Sequence, residues 1–310
     1  MTTDASVGIV LVNYNGSRFL NDCLRALHAG TVTDFEVILV DNASTDGSAE
    51  EACREFPSMT LLRQATNLGV AGGNNAGIAY CLDRGHRFVL LMNYDTLPDA
   101  RMLEELLAVA VPGVLVSGYT LVWDDSGRSN SHAGALDWTL GRLREPFFGG
   151  VMEARRGARE IDNADTCCLL VPREVFGAIG VMDAAYFMYY DDTDFIVRAR
   201  RAGFRCVLNP AARLRHYERG ATGPVSLSPI SVYYSSRNRP YFMGKHAPSW
   251  PRYAVFLLYF SVTRAANLLK WIATGDFQRP AWMLRGLVDF ARGRMGPMNG
   301  TVAHGSGTGA

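Results

Sequence analysis

The chain has 310 residues, 48% hydrophobic and 20% charged, with a formal net charge of +1. That composition fits one large globular domain or a domain with an appendage. The balanced charge provides no electrostatic footprint for nucleic acid, so none is expected as a partner. The first residues, MTTDASVGIV, carry neither a basic stretch nor a cleavage site, so no signal peptide is expected. The six cysteines show no CxxC spacing and read as buried free thiols of a reducing cytoplasm.

In chain order, residues 7–13 read as a strand. Residues 17–29 form a helix with Phe19, Leu20, Cys23, Leu24 and Leu27 on one face. A second strand, 35–41, ends in Asp41-Asn42, and the turn residues 44–48 start a helix. A short strand at 59–63 precedes the glycine- and asparagine-rich stretch NLGVAGGNNAG, expected as a loop over 67–77 entering a helix that ends near Arg84. The run FVLLMN is the next strand, and 99–110 a helix. This alternation predicts a mixed, mostly parallel sheet flanked by helices, an α/β class.

The rhythm then changes. Strands are expected over 113–123, 161–171 and 205–208, with a loop or hairpin over 124–150 and helices at 173–179 and after Tyr190. Residues 229–246, 251–273 and 277–293 form a C-terminal helical extension. The organisation expected is a catalytic unit over 1–225, a helical region over 226–296 and a disordered tail over 297–310. The apolar run 253–262 is too short to cross a bilayer. With Trp250, Trp271 and Trp282 beside Arg252, Arg279 and Arg285, it suits either a peripheral membrane contact or packing on the catalytic unit or a second subunit, as in a homodimer.

Ligands of open α/β sheets bind beyond the C-terminal ends of the strands. Asn13-Tyr14-Asn15, Asp41-Asn42 and Asn93-Tyr94-Asp95 all stand there. Asp41 can accept a bond from a nucleobase N–H or belong to a helix cap, the role expected of Ser17 and Asp46. The glycines of 67–77 let a backbone approach a diphosphate, with helix N–H groups behind it, although neither GxGxxG nor GxxxxGK[ST] is present. Asp95 is placed to hold a cation against a phosphate. Asp191, Asp192 and Asp194 crowd three carboxylates into a helix start behind the aromatic run YFMYY, which suits a half-buried general base. His216 lies among Arg213, Arg215 and Arg219, a setting for an anion.

The segments VNYNG (12–16), VDNASTDGS (40–48), NLGVAGGNNAGI (67–78), LLMNYDT (90–96), FMYYDDTDFIVRARRAGF (187–204), RHYERGAT (215–222) and YYSSRNRPYF (233–242) resemble, in this order, family 2 glycosyltransferases of the GT-A fold. The chain looks most like bacterial rhamnosyltransferase-type enzymes. The resemblance implies a Rossmann-like GT-A domain and an inverting transfer from a nucleotide-diphosphate sugar, dTDP-L-rhamnose foremost or a UDP-sugar, to an acceptor hydroxyl. That acceptor would be a lipid-linked or cell-surface glycan or a secondary metabolite.

The resemblance assigns Asn13, Tyr14, Asn15, Asp41 and Asn42 to the base and ribose. Asn67, Gly72, Gly73, Asn74 and Asn93 fall to the diphosphate and sugar. Asp95 falls to Mg²⁺ or Mn²⁺, His216 to that metal or to the diphosphate, and Asp192 is the base with Asp191 beside it. Asp165, Thr166 and Arg237 are assigned to the acceptor side. The enzyme would act in the cytoplasm, at the inner face of the membrane if the acceptor is lipid-linked. A two-carboxylate glycoside hydrolase and an inactive sugar-nucleotide-binding module are the alternatives.

Overall fold

The computed structural model describes residues 6–123, 133–144, 157–217 and 228–298. The first third alternates as expected: β1 (Val7–Asn13), α1 (Leu20–His28), β2 (Phe35–Asp41), α2 (Ser48–Glu55), β3 (Thr60–Arg63), α3 (Gly69–Asp83) and β4 (Phe88–Met92). There follow β5 (Thr96–Pro98), α4 (Met102–Ala108), β6 (Val114–Val122), and a hairpin of β7 (Ala135–Asp137) and β8 (Arg142–Arg144). Then come β9 (Arg159–Glu160), β10 (Cys168–Pro172), α5 (Arg173–Ile179), α6 (Asp191–Arg201) and β11 (Arg205–His216). The chain closes with α7 (Pro229–His246), α8 (Trp250–Ala273) and α9 (Gln278–Ala291).

The main sheet has the order β3-β2-β1-β4-β10-β6-β11-β5, with β9 on β11. Its pairings are parallel through β3-β2-β1-β4 and again at β6-β11, and antiparallel around β10 and at β5 and β9. Strand residues point alternately to the two faces. On one face Ile9, Leu11 and Leu39 pack with Leu20, Cys23, Leu24 and Leu27 of α1 and with α2 and α4. On the other, Val10, Ile38 and Val40 pack with α3, α5 and α6. All six cysteines are free and all but Cys53 are buried.

Four elements depart from expectation, each for a local reason. Helix α3 begins at Gly69 instead of after Gly77. A Cβ at Gly73 would stand 2.5 Å from Val12 Cγ1, and one at Gly77 2.3 Å from Val10 Cγ1. The glycines let α3 lie close on β1, which sequence alone reads as loop composition. Strand β10 begins only at Cys168, because the preceding residues turn, with Asp165 Oδ1 accepting the Cys167 N–H at 3.1 Å. Strand β11 continues past Leu208 to His216 through an irregularity in its pairing with β6 between Asn209 and Arg213. Pro210 sits in that irregularity, where a proline in a strand is tolerated. Strand β5, three residues long, was not foreseen.

The expected tail also shortens. Met298 is buried and its N–H donates to the Tyr234 hydroxyl at 3.2 Å. Residues 299–310, most of the loop expected over 124–150, and 218–222 with Arg219 lie outside the described residues. The C-terminal helices join the catalytic unit through a cluster of Tyr186, Val197, Phe242, Phe256 and Phe260. Contrary to the expectation from the shorter run, α8 has 24 residues and is long and apolar enough to cross a membrane by length and composition. Its Phe256 and Phe260 face is buried in that cluster.

Candidate active site

The chain runs outward from β1 through β2 to β3, then returns to β4 on the other side of β1. The switch point therefore lies beyond the C-terminal ends of β1 and β4. Asn13, closing β1, is fully buried, and its amide donates to Ser48 Oγ at 2.9 Å, Ser44 Oγ at 3.0 Å and toward Asp41 Oδ1 at 3.3 Å. Asn42 donates to the Gly69 carbonyl at 2.9 Å and accepts the Leu68 N–H. Asn13 and Asn42 thus hold the pocket wall together from within. Asn15, at φ 53°, is exposed and accepts the Thr45 N–H at 2.9 Å, and Tyr14 is half-buried beside it. Asp46 accepts the N–H groups of Ser17 and of Ser48, the first residue of α2, but the N-cap positions are Phe19 and Gly47 and neither makes a side-chain cap bond, so Ser17 does not cap α1 as expected.

The second pole joins residues 121 positions apart. Strand β5 pairs antiparallel with β11, setting His216 opposite Thr96. The turn Asn93-Tyr94-Asp95 is thereby held against the end of β11, where the Tyr217 N–H donates to the Asp95 carbonyl at 2.9 Å. His216 Nε2 lies 3.3 Å from Asp95 Oδ1, both side chains mostly shielded. A carboxylate oxygen and an imidazole nitrogen form a donor set that Mn²⁺ accepts readily and Mg²⁺ accepts through its oxygen. Among the described residues, no group of three His, Cys, Asp or Glu encloses a metal. The pair fits a cation that draws its remaining ligands from substrate and water.

The third pole is the start of α6. Phe187, Tyr189 and Tyr190 all have positive φ, 66°, 63° and 69°. Such conformations are costly for side-chain-bearing residues and persist only where surroundings enforce them. Here Asn238 Nδ2 lies 2.8–3.0 Å from the carbonyls of Tyr186, Met188 and Tyr189. The Phe187 carbonyl accepts the Val70 N–H at 2.7 Å. The strained loop delivers Asp191 and Asp192 onto the first turn of α6.

The two carboxylates differ in setting. Asp191 is buried with Oδ2 unpartnered, and burial, then repulsion from Asp192, pushes its carboxyl well above the usual carboxylate range. Asp192 is half-buried, with Oδ1 accepting the Thr193 N–H at 2.6 Å. Asp194, the third acid, is fully enclosed by Arg198 at 2.7 Å, Lys245 at 2.7 Å and His246 at 2.6 Å. Burial alone would raise its carboxyl, but the bonds from these partners hold it well below the ordinary range. It is a structural hub tying α6 to α7.

The poles meet at Cys167. Its thiol is raised first by burial and then by the nearby carboxylates of Asp165, Asp95 and Asp192. It also lies 3.9 Å from His216 Nδ1 and accepts the Asn93 amide at 3.2 Å. Asp165 and Thr166, both buried, thus flank the same centre.

Two expectations are corrected. Arg237 does not reach toward an acceptor. It is fully buried, its guanidinium donating to the carbonyls of Gly296 at 2.6 Å and Tyr186 at 2.9 Å and lying over the Tyr234 ring. Gly72, Gly73 and Asn74 lie inside α3, and the Val70 and Ala71 amides at its N-terminus are taken by Phe187, so they are not free for a diphosphate. Asn67 accepts the N–H of Gly69, whose φ of +74° brings α3 against Phe187.

Several positioning residues escaped sequence reasoning. Asp194 and Arg198 pair at i, i+4 on α6, and Asn238, Lys245 and His246 carry no local signal in the sequence. Nor do Arg239 and Arg264, whose guanidiniums flank the Phe260 ring at 5.6 and 5.2 Å and whose charges act on Tyr190.

Comparison with known proteins agrees with this geometry. Residues 8–180 match the family described as Glycosyl transferase family 2. The N-acetylglucosaminyl-diphospho-decaprenol L-rhamnosyltransferase of Mycobacterium tuberculosis is 29% identical over 250 residues, covering 74% of this chain and 81% of the relative. The dTDP-rhamnosyl transferase RfbF of Shigella flexneri is 22% identical over 79% of this chain and 82% of its own. Among solved structures, GalNAc-T7 with UDP, GalNAc and Mn²⁺ superposes with a TM-score of 0.61 at 13% identity, over 76% of this chain and 48% of that one. TarS of S. aureus superposes with a TM-score of 0.58 at 13% identity, over 93% and 49%. The chain spans about half the length of each of these two structures, and the likeness shows a shared GT-A fold. By its matched residues and its fold, the chain belongs to glycosyl transferase family 2.

Proposed function

We propose that this glycosyltransferase moves a sugar, L-rhamnose from dTDP-rhamnose as the first candidate, onto an acceptor hydroxyl with inversion at the anomeric carbon. The observation that carries the reading is the 3.3 Å approach of His216 to Asp95 at the switch point of the sheet. Two relatives whose names specify rhamnosyl transfer support the donor sugar. The pocket wall at Tyr14, Asn15 and Asp41 receives the base and ribose. Asp95 and His216 hold the divalent cation, which when bound offsets charge on the departing diphosphate.

On the opposite side Asp192 accepts the proton of the acceptor hydroxyl. The acceptor oxygen bonds to the anomeric carbon while the bond from that carbon to the diphosphate oxygen breaks, and the diphosphate leaves with the electron pair. A base must be ionised to work. Burial, then the Asp192 charge, raises the Asp191 carboxyl, which favours its neutral form beside the Asp192 carboxylate. Asp191 and Asp192 share one helical turn, so they do not straddle a glycosidic bond as hydrolase carboxylates do. Asp165 and Thr166 border the acceptor side, and Arg239 and Arg264 beside Tyr190 suit an acceptor carrying negative charge, such as a lipid-linked glycan phosphate, at the cytoplasmic membrane face.

A thermal-shift screen of nucleotide sugars with and without Mn²⁺ tests the donor half. At a hundredfold excess over Kd, a matched donor stabilises the protein by about 2.7 kcal/mol, and more in Mn²⁺ than in chelator. An identical melting temperature with every nucleoside diphosphate, metal present or absent, rules the reading out.

A further inference from the structure

On α8 the side chains of Val255, Leu258, Val262, Leu269 and Ile272 are all exposed, Leu258 and Leu269 by 69% and 70%. With Ala265, also exposed, they recur every three or four residues and so form one continuous stripe. It lies opposite Phe256 and Phe260, which face the protein core. Trp250 is 72% exposed at the first turn of the helix. Phe277 follows the helix, and Leu284 and Val288 on α9 are exposed as well. A monomer rarely leaves so long an apolar surface uncovered.

The charge around the stripe identifies what covers it. Residues 228–298 contain ten Lys or Arg against two Asp, although the whole chain is nearly neutral. Arg252, Lys270 and Arg285 are exposed on α8 and α9, as is Arg292 directly after α9. The two acids are already engaged, Asp276 with Arg279 at 2.9 Å and Asp289 with the Tyr233 hydroxyl at 2.7 Å. A second copy would bring this basic, apolar face against an identical one with no acid to answer it. An anionic bilayer supplies both the apolar interior and the negative headgroups, and tryptophans favour that boundary.

We infer that the α8 stripe docks this enzyme in the plane of an anionic phospholipid surface. One face of α8 is committed to Phe242 and the aromatic cluster that includes Tyr190, so the helix lies along the bilayer and does not thread it. Tyr190, two residues before Asp192, packs on the same cluster as α8. Docking therefore puts the lipid on the side of that cluster, the side from which a lipid-borne acceptor would approach the proposed base. The inference deepens the transferase reading but does not depend on the donor or the cation.

Co-sedimentation of the full chain with vesicles of phosphatidylcholine, with and without phosphatidylglycerol, tests it, alongside the solution mass by light scattering. The expected result is capture by the phosphatidylglycerol vesicles, release by high salt, and a loss of about tenfold or more in the Leu258→Glu/Leu269→Glu variant. Both positions are exposed, so the variant should keep the wild-type melting temperature and the wild-type thermal response to nucleotide. Equal capture by both vesicle types, no capture, or unchanged capture of the variant overturns the inference. So does a wild-type dimer that the same substitutions split. A lost nucleotide response with vesicle capture intact would strike the donor reading alone.

Discussion

Asp192→Asn is expected to lower the transfer rate by about 10²–10⁴-fold, the usual contribution of a positioned general base. The amide keeps the shape of the side chain and can still meet the Thr193 N–H that Asp192 Oδ1 accepts at 2.6 Å. It cannot take a proton. Donor affinity should hardly change, since the Asp95–His216 pole lies on a different element, the β5–β11 junction. Loss in kcat with Kd for donor preserved separates a base from a binding residue. Asp191 is a poor substitute: it is buried, and burial and the Asp192 charge raise its carboxyl well above the usual carboxylate range. Wild-type rate in steady-state assays of Asp192→Asn would place the base elsewhere.

The largest stability effect is expected at Asp194. Its side chain is wholly buried between Arg198, Lys245 and His246. Asp194→Ala takes the buried carboxylate from Arg198 and His246, while Lys245 keeps Asp183 at 2.8 Å, a loss of about 3–5 kcal/mol for a buried pair broken on one side. Urea denaturation of the two proteins measures it. The pH dependence has a definite sign. The folded-state carboxyl is held below its ordinary value of about 3.9, so its stabilisation is present above that value and is lost as pH falls through the lowered folded-state value. The gap between wild type and Asp194→Ala should therefore persist from neutral pH down to about pH 5 and close only in strong acid. A gap that closes already between pH 7 and 5 would mean another group sets it.

The three acids show what a sequence can and cannot convey. Asp191, Asp192 and Asp194 look alike in a row of letters, and only the fold sorts them into a buried neighbour, a half-buried proposed base and a buried strut. The sorting depends on φ values of Phe187, Tyr189 and Tyr190 that no propensity predicts, and on Asn238, some fifty residues away. Strands β1, β2 and β4 were legible because an apolar run buried on both faces is a strong local pattern. Helix α3 was misread over its first turns because glycines that admit β1 resemble glycines of a loop. The placement of Asp95 beside His216 depended on β5, three residues long and paired across the sheet with β11, below the length at which periodicity speaks. The resemblance puts Arg237 on the acceptor side, whereas its fully buried guanidinium secures the carbonyl of Tyr186 from behind.

Calorimetric titration of dTDP in Mn²⁺ into the wild type, Asp95→Asn, His216→Ala and Asp192→Asn tests most directly whether one site has a donor pole and a base pole. Wild-type affinity is expected in Asp192→Asn and a loss of about 10–100-fold in Asp95→Asn, with His216→Ala weakened in the same direction. Asp95→Asn and His216→Ala binding dTDP and Mn²⁺ as the wild type does would contradict the two-pole site.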